Sequence, residues 1–183
     1  NRFTLKEILP QVELLNKDIY CKMYPPKNLY VTDKADGLRS ILIVKNGKIN
    51  FIISDVITHN INNKDIYCIC DCELVGDIIY IFDVIQYNSL NLISEGYSKR
   101  IEYIPKLVKE IGNNLVKGKY IYSLNSNGEA SLDNITKALK CPYPYECDGL
   151  IFIEDNNDYL HTKSYKWKPL EHTTIDFLAK KYE

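Results

Sequence analysis

A lysine, an aspartate and an arginine lie close together in the segment KADGLR, which runs from Lys34 to Arg39 and includes Gly37. A lysine amine is a nucleophile once it has lost its proton, and neighbouring cations or a bound metal ion favour that loss. A glycine beside the lysine leaves room for a phosphate to approach. The apolar run SILIV follows at once and predicts a buried strand. The segment therefore predicts a reactive lysine at the mouth of a strand.

A carboxylate and an aromatic ring are predicted to share a face of a second hairpin, in which DIYCICDCELV and IIYIFDVI flank the turn Gly76-Asp77. Counting across that turn puts four residues on one surface: Asp71, Glu73, Tyr80 and Phe82. A ring can stack on a nucleobase while a carboxylate accepts hydrogen bonds from sugar hydroxyls. The alternative is a core phenylalanine beside a solvated glutamate, and this hairpin taken alone favours that alternative.

A basic strip lies near the end of the sequence, in HTKSYKWKP, where no acidic residue interrupts the lysines. Lys166 and Lys168 alternate, so they point to the same side of a strand and could bind one phosphate chain. Solvated surface lysines are the simpler alternative. Regular counting of this third hairpin puts both lysines on the face opposite Asp148. Phosphate chemistry would need the lysines and Asp148 in one cleft, so we expect a β-bulge or break between Lys163 and Tyr165.

The cysteines and the overall charge limit the other possibilities. Cys68, Cys70 and Cys72 would line one face of a strand, but three thiolates on one rigid strand cannot surround a metal ion. We therefore interpret them as small buried hydrophobic residues with reduced thiols. The net charge of −1 does not support a general electrostatic attraction to nucleic acid. No apolar run is long enough to span a membrane, which favours a soluble intracellular chain.

The elements that must position these residues are visible as hydrophobic periodicity in a chain of 183 residues, which fits one domain. Residues 4–16 predict an amphipathic helix. SILIV, Asn46-Gly47 and INFIIS predict the first hairpin, and GLIFIE with YLHTKSYKW predict the third. SKRIEYIPKLVKEIG and SLDNITKALK predict helices, the latter with Ser131 or Asp133 as N-cap. The fold class is α+β, built on antiparallel sheet.

Five segments, taken in order, resemble the motifs of the covalent nucleotidyltransferases, the family of mRNA capping guanylyltransferases and ATP-dependent polynucleotide ligases. KADGLR resembles the lysine motif, DCELVG the glutamate motif, IFDVI the aromatic motif, ECDGLIF the acidic metal motif and YKWKP the closing lysine motif. DGLIF followed by KWKP and TTIDF is similar to the capping branch.

The resemblance implies the ligase and capping-enzyme fold, in which a lysine carries a nucleoside monophosphate as a phosphoramidate. Lys34 would be the nucleophile, Arg39 and Glu73 would hold the ribose, and Phe82 would stack on guanine. Lys166 and Lys168 would contact the phosphates of GTP. Asp148 and Glu146, expected to alternate on one strand face, would bind Mg²⁺ or Mn²⁺. Asp36 and Asp83 are expected to fix their loops or a lysine.

The implied activity is an mRNA guanylyltransferase that passes GMP from GTP to the 5′-diphosphate end of RNA. A polynucleotide ligase that uses ATP and a non-catalytic nucleotide-binding scaffold remain alternatives. Cys72 stands where the family usually has a glycine. No motif of the C-terminal OB-fold lid follows TTIDF, so residues 1–183 are expected to be a nucleotidyltransferase domain alone.

The same resemblance implies partners and a source. Triphosphatase, methyltransferase and OB-fold domains are expected in the same polypeptide. The richness in Ile, Asn, Lys and Tyr, with 15 Tyr, is typical of an AT-rich genome. It fits a large DNA virus that replicates in the cytoplasm, with the protein in the viral factory or the virion and not in a membrane.

Overall fold

The computed structural model describes residues 9–23, 28–52, 56–124 and 128–169. In these residues four helices accompany the strands: α1 (Lys17–Met23), α2 (Tyr97–Ile101), α3 (Ile104–Ile111) and α4 (Gly128–Lys140). The strands are β1 (Val12–Leu14), β2 (Leu29–Ala35), β3 (Leu38–Lys45), β4 (Lys48–Ile52), β5 (Val56–Asn60), β6 (Cys68–Val75), β7 (Ile78–Tyr87), β8 (Leu90–Asn91), β9 (Val116–Gly118), β10 (Ile121–Ser123), β11 (Cys147–Glu154) and β12 (Ser164–Trp167). None of the described helices has the length and apolar character needed to cross a membrane.

The strands form two sheets that are mainly antiparallel. The first sheet has the order β1-β12-β11-β2-β10, and the second has the order β5-β4-β3-β6-β7-β8 with β9 paired to β7. Only the β1/β12 and β7/β9 pairs are parallel among the pairings of the described strands. The predicted α+β class built on antiparallel sheet is confirmed.

The first two hairpins have the predicted turns. Asn46 and Gly47, which connect β3 to β4, both have positive φ angles of 54° and 71°, as a tight two-residue turn requires. Across the second turn Val75 pairs with Ile78. The local sequence therefore determines the register at the turn end of both hairpins.

Each sheet packs its outer face against helices, which leaves the inner faces to form a cavity. Leu107 and Ile111 of α3 belong to the core of the second sheet, together with Cys68, Cys70 and Cys72, which are all buried. Ala138 of α4 packs against the first sheet. The cysteines therefore lie in the core, as predicted, away from the cavity between the sheets.

The predicted N-terminal helix is wrong where the structure describes it. Residues 12–14 form β1, whose backbone pairs in parallel with Ser164–Lys166 of β12, and residues 4–8 lie outside the described residues. The helix begins later, at Lys17, where the Asn16 side chain accepts a hydrogen bond of 2.9 Å from the amide of Ile19 and caps it. Sheet pairing thus overrides the helical periodicity of this segment.

Both later helices are present, but their boundaries differ from the prediction. The helix SLDNITKALK begins at Gly128, so Ser131 and Asp133 are inside it and the N-cap prediction is wrong. The Ser131 hydroxyl instead donates a 2.9 Å hydrogen bond to the carbonyl of Leu124. The other helical segment is interrupted after Ile101, and its second part ends at Gly112, which has a left-handed φ of 59°.

Candidate functional site

The segment KADGLR carries the chain from one sheet to the other. β2 belongs to the first sheet and β3 to the second, and Asp36 and Gly37 form the crossing between them. Lys34 near the end of β2 and Arg39 near the start of β3 therefore line the same cavity, of about 250 Å³, from opposite walls. The close spacing of the lysine and the arginine in the sequence is the spacing needed to place one on each wall.

Gly37 is required by close packing of this crossing against β6. A Cβ atom at Gly37 would lie 2.7 Å from Cγ of Glu73 and 2.7 Å from the carbonyl oxygen of Leu74. Both distances are far below van der Waals contact, and the second involves backbone that cannot move away easily. The glycine therefore holds the lysine segment tightly against the strand that carries Glu73.

Lys34, Lys168 and Asp148 form an ionic cluster on the first wall. The Lys34 amine donates a 2.7 Å hydrogen bond to Oδ1 of Asp148, and the Lys168 amine pairs with Oδ2 of the same carboxylate. Burial by itself would raise the pKa of Asp148, but the hydrogen bonds from Lys168 and Lys34 outweigh it and lower that pKa. Asp148 is therefore an ionised carboxylate shared by two lysines.

Asp148 reaches this cluster because of a bulge, but not the bulge that was predicted. The pairing of β11 with β12 is regular from Leu150–Trp167 to Ile153–Ser164, and the Glu154 amide bonds the Lys163 carbonyl in the same register. The predicted break between Lys163 and Tyr165 is therefore wrong. The register shift lies in β11 instead, where its pairing with β2 changes between Cys147 and Leu150. This shift turns Asp148 toward Lys34.

Lys166 lies on the same wall as this cluster. Its Cα pairs with Ile151, and both Ile151 and Ser164 line the cavity. Residues paired across an antiparallel ladder share a face, and alternate residues along a strand do so too. Lys166 is therefore on the cavity face of β12, on the same side as Lys168.

The second wall is built from a half-buried arginine, its buried carboxylate partner and an aromatic ring. Arg39 Nε donates a 3.0 Å hydrogen bond to Oδ1 of Asp71, which is 1% exposed. Burial would lower the pKa of Arg39, but the hydrogen bond and charge of Asp71 outweigh it and raise that pKa. The guanidinium carbon lies 5.8 Å from the centre of the Phe82 ring, within reach of a cation–π contact.

The predicted register of the second hairpin is confirmed near its turn, where Glu73 pairs with Tyr80. Asp71, Glu73 and Phe82 line the cavity, whereas Tyr80 lines a separate hollow, with its ring 4.7 Å from that of Tyr145. Farther from the turn the register shifts, because Asp71 pairs with Asp83 and not, as regular counting predicts, with Phe82. Phe82 is the extra residue of this bulge.

Lys119 is a residue of the site that the sequence reading missed. Its amine donates a 2.7 Å hydrogen bond to Oε2 of Glu73 and lies 3.3 Å from Oδ2 of Asp33, and the side chain is only 4% exposed. Nothing in the segment KGKY distinguishes this lysine from the solvated ones. Its role follows only from the contact between β2, β6 and the loop after β9.

Glu146 does not lie with Asp148, although the two were predicted to share a strand face. β11 begins at Cys147, and the bulge follows directly. The Glu146 side chain is exposed and lines a separate hollow with Asp36 and Tyr145, while its carbonyl accepts a 3.3 Å bond from the Asp36 amide. In the described part of the chain no three His, Cys, Asp or Glu side chains are grouped as metal ligands.

The fold is that of the nucleotidyltransferase domain of DNA ligases. The chain superposes on mycobacterial DNA ligase D complexed with ATP and MES with a TM-score of 0.58 and 12% identity, covering 90% of this chain and 62% of that one. The ligase domain of M. tuberculosis LigD gives the same TM-score and covers 91% and 61%. No family model matches the sequence.

At the sequence level the chain is similar to mRNA-capping enzymes. It is 34% identical to that of the Badajoz strain of African swine fever virus over 190 aligned residues, which are 98% of this chain but 22% of that protein. It is 26% identical to that of Caenorhabditis elegans, covering 82% and 30%. The chain is therefore similar in sequence to mRNA-capping enzymes and shares its fold with DNA ligases, and it spans about a fifth to a third of the length of these curated relatives.

Proposed function

We propose that this chain is the guanylyltransferase domain of an mRNA-capping enzyme and that Lys34 carries the GMP. The Lys34 amine, having lost a proton, attacks the α-phosphorus of GTP, so that an N–P bond forms while the bond to the bridging oxygen breaks and pyrophosphate leaves. The observation that supports this most directly is the Lys34 amine at the cavity mouth, hydrogen-bonded to a carboxylate that Lys168 shares.

The walls of the cavity provide the remaining contacts that this substrate needs. Phe82 offers a half-buried ring on which guanine can stack, and Arg39 with Glu73 offers a donor and an acceptor for the ribose hydroxyls. Lys166 and Lys168 neutralise the phosphates on the opposite wall. A nucleotide bound between the sheets would therefore contact both walls at once.

Asp148 is the residue that we propose to hold Mg²⁺ or Mn²⁺. A carboxylate oxygen is the hard ligand that both ions prefer, and Mg²⁺ is commonly held by one or two carboxylates together with substrate phosphates. When bound, the ion supplies charge that stabilises the phosphoryl oxygens during displacement. Asp148 would then exchange one of its lysine partners, which leaves the Lys34 amine available for attack. Glu146 is separated from this position.

The second half of the proposed reaction transfers GMP to RNA. An oxygen of the terminal phosphate of 5′-diphosphate RNA attacks the same phosphorus, the N–P bond breaks and Lys34 regains its proton. The names of the relatives support this acceptor. Because those relatives are several times longer, we propose that triphosphatase, methyltransferase and OB-fold domains accompany residues 1–183 in one polypeptide, in the cytoplasm of an infected cell.

Labelling with a nucleotide tests the proposal. The chain, alone and within its complete polypeptide, is incubated with α-labelled GTP and Mg²⁺ or Mn²⁺, and the protein is analysed by gel and by mass spectrometry. We expect an adduct of about 345 Da, one GMP residue, on the peptide that contains Lys34. Lys34→Ala should abolish the adduct, whereas Lys48→Ala, which removes an exposed lysine of β4, should not.

Other outcomes identify the alternatives. If ATP labels Lys34 and GTP does not, the chain is a ligase adenylation domain and not a guanylyltransferase. If neither nucleotide labels the complete polypeptide while GTP still binds equally to the parent and to Lys34→Ala, the domain is a nucleotide-binding scaffold. Either result overturns the proposed activity.

A further inference from the structure

The loop between β11 and β12, residues 155–163, contacts the opposite sheet through two chains of hydrogen bonds. The first runs from Tyr159 through Asp71 to Arg39, and the second runs from Thr162 through Arg100 to Asp83. We call these six residues the cross-wall clamp. Its position matters because the loop leads directly into β12, the strand that carries Lys166 and Lys168.

The first arm of the clamp holds Arg39 indirectly. The Tyr159 hydroxyl donates a 2.8 Å hydrogen bond to Oδ2 of Asp71, whose Oδ1 accepts from Arg39. Tyr159 is only 4% exposed, and burial together with the charge of Asp71 raises its pKa, so the hydroxyl stays protonated as a donor. Asp71 therefore accepts hydrogen bonds from two donors, Tyr159 of the loop after β11 and Arg39 of the second sheet.

The second arm holds the backbone of the stacking residue. Arg100 of α2 is fully buried and donates to both oxygens of Asp83 at 2.8 Å and to Oγ1 of Thr162 at 3.0 Å. Tyr97 of the same helix donates a 2.9 Å bond to the carbonyl of Phe82. The bulge that presents Phe82 is thus attached to the loop that precedes the phosphate-binding lysines.

We infer that Tyr159 is a positioning residue for the nucleotide, acting through Asp71 on Arg39. The inference rests on the proposed function, in which Arg39 contacts the ribose. A guanidinium that is fixed before binding loses less conformational freedom when the sugar arrives. The Tyr159 hydroxyl bonds Asp71, whereas Lys34 bonds Asp148, so we expect Tyr159 to affect how the nucleotide binds and not how fast the N–P bond forms.

Tyr159→Phe tests this role because it keeps the ring and removes only the donor. Without this donor Arg39 is less firmly held before binding and loses more conformational freedom when GTP binds, so we expect KM for GTP in adduct formation to rise about tenfold. The rate at saturating GTP should change less than about twofold, because transition-state contacts at the phosphorus are retained. These values are measured in the complete polypeptide with α-labelled GTP.

Tyr165→Phe is the matched control. The Tyr165 hydroxyl also donates to a carboxylate, Oε1 of Glu154, at 2.9 Å, and the side chain is 5% exposed on β12. It does not line the cavity. Tyr159→Phe loses a buried tyrosine–carboxylate bond and Tyr165→Phe a part-buried one, so both should lose stability, but only Tyr159→Phe should raise KM.

A change of substrate separates positioning from simple weakening of the fold. With 2′,3′-dideoxy-GTP, which lacks the hydroxyls that Arg39 would contact, Tyr159→Phe and the parent should show the same KM within about twofold. Equal penalties for GTP and dideoxy-GTP, or equal KM changes in Tyr159→Phe and Tyr165→Phe, overturn the inference. If the parent itself forms no adduct, the proposed function fails instead, and the two failures are distinguishable.

Discussion

The two walls of the cavity differ in how firmly their charged groups are held. On the first wall, Lys34, Lys168 and Asp148 keep about a fifth to a third of their side-chain surface exposed. On the second wall Arg39 is 31% exposed, but its partner Asp71 and the pair Asp83 and Arg100 behind it are almost fully buried and joined to neighbours on several sides. Under the proposed function, the groups that would exchange protons and partners are accessible, whereas the carboxylates that hold the binding site in shape are fixed before the ligand arrives.

The largest effect is expected from a substitution that preserves charge on the reactive wall. Lys34→Arg can still pair with Asp148, but a guanidinium stays protonated at any accessible pH and is not a nucleophile. Adduct formation should fall by more than about a thousandfold while the unfolding temperature changes little. Quantitative labelling with α-labelled GTP measures the loss. Retention of even a tenth of the parental adduct would show that another residue carries the GMP.

Asp148→Asn also changes the first wall, and it should lower adduct formation less than Lys34→Arg does. It keeps the shape of the carboxylate but removes the charge shared by Lys34 and Lys168, so we expect adduct formation to fall about a hundredfold. The measured quantity is the initial rate at several Mg²⁺ or Mn²⁺ concentrations. Asp77→Asn, in the exposed turn of the second hairpin, is the control and should leave that rate unchanged. Equal rates in the two variants would exclude a role for Asp148.

Gly37→Ala should displace the segment that crosses from the first wall to the second. The added methyl group meets Glu73 and the backbone of Leu74, and overpacking of this kind costs about 1–3 kcal/mol in the free energy of unfolding. Adduct formation should also fall, since Lys34 and Arg39 flank the displaced segment. Gly76→Ala is a useful contrast because its φ of 58° strains alanine while a Cβ there contacts nothing. Denaturant unfolding and labelling should show lost stability in both variants but lost labelling in Gly37→Ala alone.

The smallest effect concerns the pH dependence of the buried wall. Burial raises the pKa of Asp83 from 3.8 to about 6, with Asp71 adding to the rise and Arg100 opposing it. Between these two values the folded state binds a proton that the unfolded state does not, so the contribution of Asp83 to stability falls as pH rises from about 4 to 6. Denaturant unfolding of the parent and of Asp83→Asn measures this. The free energy of unfolding of the parent minus that of Asp83→Asn should decrease as pH rises. An increase of this difference with pH would contradict the raised pKa.

Much of the fold was predictable because its signals are local. The hairpins at Asn46-Gly47 and Gly76-Asp77 follow from turn residues between apolar runs, and the helix before Gly112 follows from its periodicity. The strand β1 was not predictable, since the pairing of residues 12–14 with β12 depends on a strand about 150 residues further along the chain.

The sequence by itself indicated the resemblance to capping enzymes and ligases, the antiparallel α+β class and the positions of the lysine, glutamate and aromatic motifs. Tertiary structure alone decided that a bulge in β11 turns Asp148 toward Lys34, that Lys119 pairs with Glu73, and that Tyr159 reaches Asp71. The physical reason is the distance along the chain over which each kind of interaction acts. Turn preferences and apolar periodicity act between near neighbours in the chain, whereas register shifts and buried polar contacts depend on which strands of the two sheets meet.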